Sequence, residues 1–177
     1  MKYKRLPSAE YLRSRLDYDP ETGKLRWKAK SGDTKEIRAW NTRHAGQVAG
    51  CLQESGYRTI LLDGTHYKAH RLIWVIQTGE PPPYEIDHKD EDKSGNRFEN
   101  LRSATRSQNQ FNTHLRANNT SGYRGVSWNP DWKAWAAQIR DGERNRLIGK
   151  YPTREEAAEA YRRAARTMHG DFVHPLV

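Results

Sequence analysis

Residues 84–112 read YEIDHKDEDKSGNRFENLRSATRSQNQFN, and this stretch decides the fold of the central part of the chain. The first run, YEIDH, follows three prolines, which deliver it in extended form. A second strand is expected around Leu101, after a polar loop. Thr105 followed three residues later by Gln108 is a capping-box pattern, which predicts a helix from Arg106 to about Thr113. Two strands and a helix in this order predict a compact ββα unit.

The loop between these strands begins in an acidic cluster, EIDHKDED at residues 85–92, although the formal net charge of the chain is +9. A calcium loop starting at Asp90 fails, because Leu101 falls where a bidentate Glu is required. A divalent-metal nuclease site needs oxygen ligands and a base, and Asp87 and His88 can supply one of each. A solvated surface turn remains open, and we prefer it for Asp90, Glu91 and Asp92.

The charge is distributed unevenly along the 177 residues. Lys and Arg number 15 against 8 acids in residues 1–76, 6 against 7 in residues 77–116, and 10 against 7 in residues 117–177. The acidic cluster therefore lies between two basic stretches. Together with six Trp and nine Tyr, this predicts a protein that binds a polyanion, with nucleic acid as the leading partner.

The remaining composition sets the class of protein. Hydrophobic residues make up 34% and charged residues 30% of the chain, which favours two or three small modules over one large core. Cys51 is the single cysteine, so neither a disulfide framework nor a CxxC zinc ribbon is expected. No apolar run is long enough for a membrane span, and we expect a soluble, cytoplasmic protein.

The residues before the ββα unit predict a small α/β region. A short helix is expected from Ser8 to Leu16 and a strand near Leu25 to Lys28. Tyr57 to Leu62 and Thr65 to Ala69 predict a hairpin around Asp63-Gly64. The apolar residues of HRLIWVIQT then predict a helix that ends at Gly79.

The residues after the ββα unit predict a second module. Residues 116–121 are polar and aperiodic, typical of a linker. Three strands are expected at Tyr123–Trp128, Ala134–Arg140 and Arg146–Tyr151, followed by an alanine-rich helix that Thr153 and Glu156 cap. The face of this sheet that the helix leaves open is expected to carry side chains suited to phosphates and base edges: Gln138, Arg140, Arg146 and Lys150.

Residues 69–112 closely resemble the HNH endonucleases of the ββα-metal fold, especially those of phages and mobile introns. The resemblance implies that His88 is the general base, that Asn100 braces the loop, and that Asp87 and Asn109 hold the metal. Asn112 and His114, one turn later, are alternatives. Asn109 stands where many members have His, which favours a single hard ion, Mg²⁺ or Mn²⁺, over zinc.

The activity that this resemblance implies is hydrolysis of a phosphodiester bond in duplex DNA. His88 would deprotonate water, and the metal would stabilise the phosphorane charge and the leaving 3′ oxygen. The products would be a 5′-phosphate and a 3′-hydroxyl, made by a nicking or homing-type enzyme. A non-catalytic DNA-binding regulator is the alternative.

Residues 121–172, SGYRGVSWNPDWKAWAAQIRDGERNRLIGKYPTREEAAEAYRRAARTMHGDF, resemble the DNA-binding domain of plant ethylene-response factors, the APETALA type. That family packs three antiparallel strands on one helix and places the sheet in the major groove. The resemblance implies DNA contacts from Arg124, Trp132, Gln138 and Arg140. Gln138 replaces a frequent Glu, so a base preference does not transfer.

The predicted fold class is therefore α+β. We expect an N-terminal α/β region at 1–54 that contacts DNA or acts as a scaffold, a ββα-metal nuclease core at 55–115, a linker at 116–121 and a sheet-on-helix domain at 122–177. Double-stranded DNA is the expected partner, with no membrane and no organic cofactor. The sequence leaves open whether the protein is a monomer or a dimer.

Overall fold

A computed structural model describes residues 5–111, 115, 118–141 and 144–170. The chain forms two compact units, Met1–Ala104 and Thr105–Val177. Each unit combines helices with short antiparallel strands, so the predicted α+β class is confirmed. Within the described ranges, no helix is long and apolar enough to cross a membrane.

The first unit contains three helices and seven strands among its described residues. In chain order they are α1 (Ala9–Arg15), β1 (Leu16–Asp19), β2 (Lys24–Trp27), α2 (Lys35–His44), β3 (Cys51–Leu52), β4 (Arg58–Leu62), β5 (Thr65–Lys68), α3 (Ala69–Thr78), β6 (Glu85–His88) and β7 (Leu101–Ala104). A 3₁₀ turn, Phe98–Asn100, precedes β7. The strands pair antiparallel as β1-β2, β3-β4-β5 and β6-β7.

Local sequence explains where several of these elements begin and end. The Ser8 hydroxyl accepts a hydrogen bond from the Tyr11 N–H at 3.2 Å and caps α1. Asp63 and Gly64 both have positive φ, 48° and 73°, as a two-residue type I′ turn between β4 and β5 requires. Gly79 ends α3 in the left-handed conformation.

The hydrophobic core of this unit runs across the boundary that the sequence predicted after residue 54. Apolar side chains from α1, β1 and β2 pack with those of β4, α3, β6 and β7. Its buried members include Leu12, Leu16, Leu25, Ile60, Leu72, Ile73, Ile86 and Leu101. The N-terminal region and the ββ hairpin of the predicted nuclease core therefore share one core.

The second unit begins with α4 (Arg106–Phe111) and continues with β8 (Val126–Asn129), β9 (Ala134–Asp141), β10 (Arg144–Tyr151) and α5 (Arg154–His169). The three strands form an antiparallel sheet in the order β10-β9-β8, and α5 packs on one face of it. The Thr153 hydroxyl accepts from the Glu156 N–H at 3.2 Å and caps α5. This confirms the predicted sheet packed on one helix.

Close packing in the second unit depends on small residues. Ala157, Ala158 and Ala165 of α5 are buried against the sheet. Gly125 has a φ of 66°, and a Cβ built there would lie 2.2 Å from the Tyr161 ring. No side chain larger than hydrogen fits between this turn and the helix. Asn112 and His114, the predicted alternative ligands, and residues 116–117 of the predicted linker lie outside the described residues.

Candidate active site

Asp87 and His88 end strand β6, where Asp87 pairs with Arg102 and His88 pairs with Leu101 of β7. Only 5% of Asp87 and 3% of His88 is exposed. Consecutive strand residues project to opposite faces, so the two side chains engage different surroundings. Buried polar groups need partners, and those partners define the chemistry of the site.

The imidazole of His88 contacts Asn96, a loop residue that is only 2% exposed. His88 Nε2 lies 3.0 Å from Asn96 Oδ1, and Asn96 Nδ2 donates to the Ser94 carbonyl at 3.1 Å. Because a carbonyl can only accept, the Ser94 contact orients the amide and turns Oδ1 toward the histidine. Neutral His88 therefore carries its proton on Nε2, and Nδ1 is the basic nitrogen.

Sequence reasoning did not assign a role to Asn96. Both Asn96 and Asn100 lie in the loop between the strands, and spacing alone does not show which of them reaches the histidine. The signal that could have found it is the burial of His88: an imidazole fixed at a strand end needs a polar partner from the following loop.

Asn100 instead spans the loop, as predicted. Its Nδ2 donates to Asp90 Oδ1 at 2.8 Å and to the Gly95 carbonyl at 2.9 Å, while its Oδ1 accepts from the Asp90 N–H at 3.1 Å. Its backbone carbonyl accepts from the Lys89 N–H at 2.9 Å. These bonds join both ends of the loop directly after His88, and a supporting role in catalysis stays a prediction.

The other acids of the cluster stabilise turns within the loop. Asp90 Oδ1 accepts from the Asp92 N–H at 2.9 Å. Asp92 Oδ1 accepts from both the hydroxyl and the N–H of Ser94, and these bonds hold the pKa of Asp92 below its usual range. This agrees with the preference for a surface turn at Asp90 and Asp92, which are exposed, whereas the carboxylate oxygens of Glu91 are buried.

Asp87 forms a largely buried ion pair with Arg102. Its Oδ2 accepts from Arg102 Nε at 2.8 Å and lies 2.7 Å from Nη2. Carboxylate oxygens are hard ligands of the kind that Mg²⁺ and similar divalent ions prefer. Asp87 therefore has chemistry that fits a hard divalent ion.

No cluster of three or more His, Cys, Asp or Glu side chains suited to a metal occurs among the described residues. The predicted donor set has one carboxylate and one amide. Asn109 of that set lies in α4, at the start of the second unit. The predicted capping box opens this helix: the Thr105 N–H donates to Gln108 Oε1 at 2.9 Å. The role of Asn109 as a ligand stays a prediction.

Two further side chains surround His88 within the first unit. The His70 ring stands edge-on at 5.2 Å from the His88 ring, and the Tyr57 ring centroid lies 6.0 Å away. Burial, with a smaller contribution from His88, places the pKa of His70 well below its usual value. His70 is therefore neutral at physiological pH and adds no charge beside His88.

The hairpin β1-β2 fixes the backbone on which Asn96 sits. The Tyr18 hydroxyl donates to the Asn96 carbonyl at 3.3 Å and accepts from the Phe98 N–H at 2.8 Å. Gly23 has a φ of 68°, and a Cβ there would lie 2.5 Å from the backbone of Asn96 and Arg97. The β1-β2 hairpin therefore packs directly against the loop that contacts His88.

In the second unit, the open face of the sheet carries three of the predicted DNA-binding side chains, Gln138, Arg140 and Lys150. Ala137 and Ile139 of β9 are buried under α5, while the alternate residues Gln138 and Arg140 are exposed on the open face. Lys150 pairs with Ala136 and shares that face, and its ammonium lies 3.8 Å from the centroid of the Trp132 ring. Arg124 is half-buried just before β8.

The face predicted for Arg146 was wrong. Arg146 pairs with Ile139, so it lies on the helix-covered side of the sheet, although it is exposed. The register shifts between Leu147 and Gly149. In an unbroken strand Arg146 and Lys150, four residues apart, would share a face; the bulge puts them on opposite faces.

Comparison with known proteins connects both sites to families. The family model described as HNH endonuclease matches residues 67–111, and the AP2 domain model matches residues 121–171. No solved structure matches the chain. The first match covers β6, β7 and α4, and the second covers the three-stranded sheet and α5.

Three relatives match the chain over different lengths. An uncharacterized HNH endonuclease of Acanthamoeba polyphaga mimivirus is 34% identical over 126 residues, 70% of this chain and 64% of that protein. Protein 3.8 of Escherichia phage T7 is 31% identical over 110 residues, 60% of this chain and 90% of that protein. Dehydration-responsive element-binding protein 2A of Oryza sativa subsp. indica is 46% identical over 55 residues, 30% of this chain and 20% of that protein.

The chain thus spans less than two thirds of the mimivirus protein, whereas it spans nine tenths of the phage protein. The two family matches lie one after the other on one polypeptide. On these matches, the chain belongs to the HNH endonuclease family and carries an AP2 domain at its C-terminal end.

Proposed function

We propose that this protein is a divalent-metal-dependent DNA endonuclease that hydrolyses phosphodiester bonds in duplex DNA. The observation that carries the proposal is the His88–Asn96 contact, which makes Nδ1 the basic nitrogen of a buried histidine next to Asp87. A general base needs this property: a defined lone pair on a side chain that cannot rotate away.

In the proposed reaction His88 Nδ1 takes a proton from a water molecule, and the resulting hydroxide attacks the phosphorus in line with the leaving 3′ oxygen. One Mg²⁺ or Mn²⁺, held through the oxygens of Asp87 and Asn109, would neutralise charge on the phosphate and the leaving group. Asn96 keeps the proton on Nε2, and Asn100 holds the loop. The products carry a 5′-phosphate and a 3′-hydroxyl.

Each chain supplies one such histidine, so we propose that one engagement of one chain nicks one strand. The AP2 domain would select the site by placing the open face of its sheet against duplex DNA. Arg140 and Lys150 on that face can bind phosphates or base edges, and Gln138 can read an edge through its amide.

Incubation with supercoiled plasmid tests the activity. We expect relaxed circles to accumulate with Mg²⁺ or Mn²⁺ and to be absent with EDTA, with ligatable 5′-phosphate ends at the nicks. If the protein retards the plasmid on a gel yet leaves it supercoiled with either ion, the non-catalytic regulator is the better assignment.

The bulge in β10 allows a matched test of the DNA-binding face. We expect Arg140→Ala to weaken binding of the target duplex by about 1–3 kcal/mol if it reads a base, and Arg146→Ala to weaken it less, because the two exposed arginines lie on opposite faces of one sheet. Titration of labelled duplex in EDTA measures both affinities without cleavage. Equal losses would contradict the assignment of the open face.

A further inference from the structure

The helix α2 and the residues around it form the most basic part of the first unit that the ββα site does not use. Residues 24–47 contain seven Lys and Arg against two acids, a balance of +5 within a chain of net charge +9. No residue of α2 is buried. The helix therefore adds little to the hydrophobic core, and its fixed position calls for another explanation.

Specific contacts hold α2 in place. The side-chain amide of Asn41 bonds both backbone groups of Lys30: its Oδ1 accepts from the Lys30 N–H at 2.8 Å, and its Nδ2 donates to the Lys30 carbonyl at 3.0 Å. The Lys30 ammonium then lies 4.4 Å from the centroid of the Trp40 ring. Trp40 stands edge-on to Trp27 with the ring centroids 5.8 Å apart.

These groups line a cavity of about 420 Å³, open to solvent, that we call the tryptophan pocket. Its walls combine the two indole rings with side chains that can carry positive charge, and the tip of the β4-β5 hairpin closes one side. The lining residues are Arg15, Trp27, Lys30, Trp40, His44, Gly50, Leu61, Leu62, Asp63 and Gly64. Asp63, the one acid among them, accepts a hydrogen bond from the Tyr11 hydroxyl.

We propose that the tryptophan pocket binds one unpaired nucleotide of DNA. Flat aromatic rings stack on bases whatever their sequence, and adjacent Arg and Lys side chains hold the phosphates, which is the combination found where proteins bind single strands. The base would take the place of the Lys30 ammonium over the Trp40 ring, and the phosphate would lie between Arg15 and the displaced Lys30 side chain. Paired bases in a duplex do not expose a ring face, so intact duplex does not fill the pocket.

This inference rests on the proposed function for the identity of the polymer, but it is independent of cleavage. The cavity volume fits one nucleotide and falls within the range of small-ligand sites. The pocket also lies in the first unit, together with His88 and its loop. A contact there would let the nuclease unit hold a displaced or frayed strand by itself.

The test measures binding of a fluorescently labelled single-stranded thymidine oligonucleotide and of a blunt duplex to the full chain in EDTA. We expect Trp40→Ala and Lys30→Ala each to raise the Kd for the single strand about tenfold, a typical effect of removing one stacking or phosphate contact. The Kd for the blunt duplex should stay within about twofold. Lys35→Ala, which removes an exposed charge on α2 outside the pocket, is the matched control.

Three outcomes overturn the inference: unchanged single-strand affinity in both variants, an equal loss with Lys35→Ala, or an equal loss for the blunt duplex. If Trp40→Ala lowers the unfolding temperature sharply, Lys30→Ala decides, because the Asn41 bonds use only the backbone of Lys30. A wild-type protein that shows this binding pattern but never nicks plasmid contradicts the proposed nuclease and leaves the pocket standing.

Discussion

Replacing His88 with Ala is expected to lower the rate of plasmid nicking by about 10²- to 10⁴-fold, the usual contribution of a positioned general base. The side chain is buried at the end of β6 with Nε2 held by Asn96, so the substitution removes a base that is held in position. Single-turnover nicking with saturating Mg²⁺ measures the chemical step. Binding of duplex in EDTA should change little, because the open face of the AP2 sheet is untouched.

His66 supplies the matched control for this experiment. It is an exposed histidine on β5 in the same unit, outside the His88 network. His66→Ala should nick plasmid at the wild-type rate within about twofold, as expected of a surface substitution away from the chemistry. If His88→Ala retains more than about a tenth of the activity, or if His66→Ala is equally slow, His88 is not the general base.

The parts of the fold that the sequence predicted well are those in which a local rule determines the outcome. Ser8, Asp63-Gly64, Gly79 and Thr153 each specify a cap or turn through their own backbone conformation or hydroxyl. These effects act within four residues, so the residues that cause them can be recognised from the sequence alone. The β6-β7 hairpin followed because its strands flank a polar loop.

The helix α2 was missed for the opposite reason. Thr34 caps it, but it has no buried residue, and its fixed position depends on the contact of Asn41 with Lys30 and of Trp40 with Trp27. Contacts of this kind connect residues eleven or more positions apart. Hydrophobic periodicity carries no information about them.

The face of Arg146 was wrong because one unpaired residue in β10 reverses the alternation of side chains. Bulges follow no strong sequence rule, so period-two counting fails beyond them. The same limit applies at the candidate site. His88 and Asp87 stood out by residue type. Asn96 reaches His88 through its side-chain amide and Tyr18 bonds backbone groups of the same loop, and spacing does not reveal either contact.

Asn96→Ala is expected to reduce the nicking rate constant by about 10²-fold, with the affinity for duplex unchanged. Without Asn96 Oδ1 the imidazole of His88 loses the contact that places its proton on Nε2, and a base held in the wrong tautomer can lose up to about 10⁴-fold in rate. Rate constant and duplex affinity are measured separately, by single-turnover nicking and by titration in EDTA. A purely structural role for Asn96 would lower the unfolding temperature, the nicking rate constant and the affinity for duplex together.

Two conservative variants separate positioning from packing. Asn96→Asp still accepts from His88 Nε2, so it should recover most of the lost rate. Its negative charge stabilises the imidazolium, so the acidic limb of the pH–rate profile of this variant should lie at higher pH than that of the wild type. Tyr18→Phe removes only the hydroxyl that bonds the Asn96 carbonyl and the Phe98 N–H, and a severalfold loss is expected because Asn96 keeps its amide contacts. If Asn96→Asp is as slow as Asn96→Ala and its pH profile does not move, Asn96 does not act through the imidazole of His88, and the tautomer argument for Nδ1 as the base fails with it.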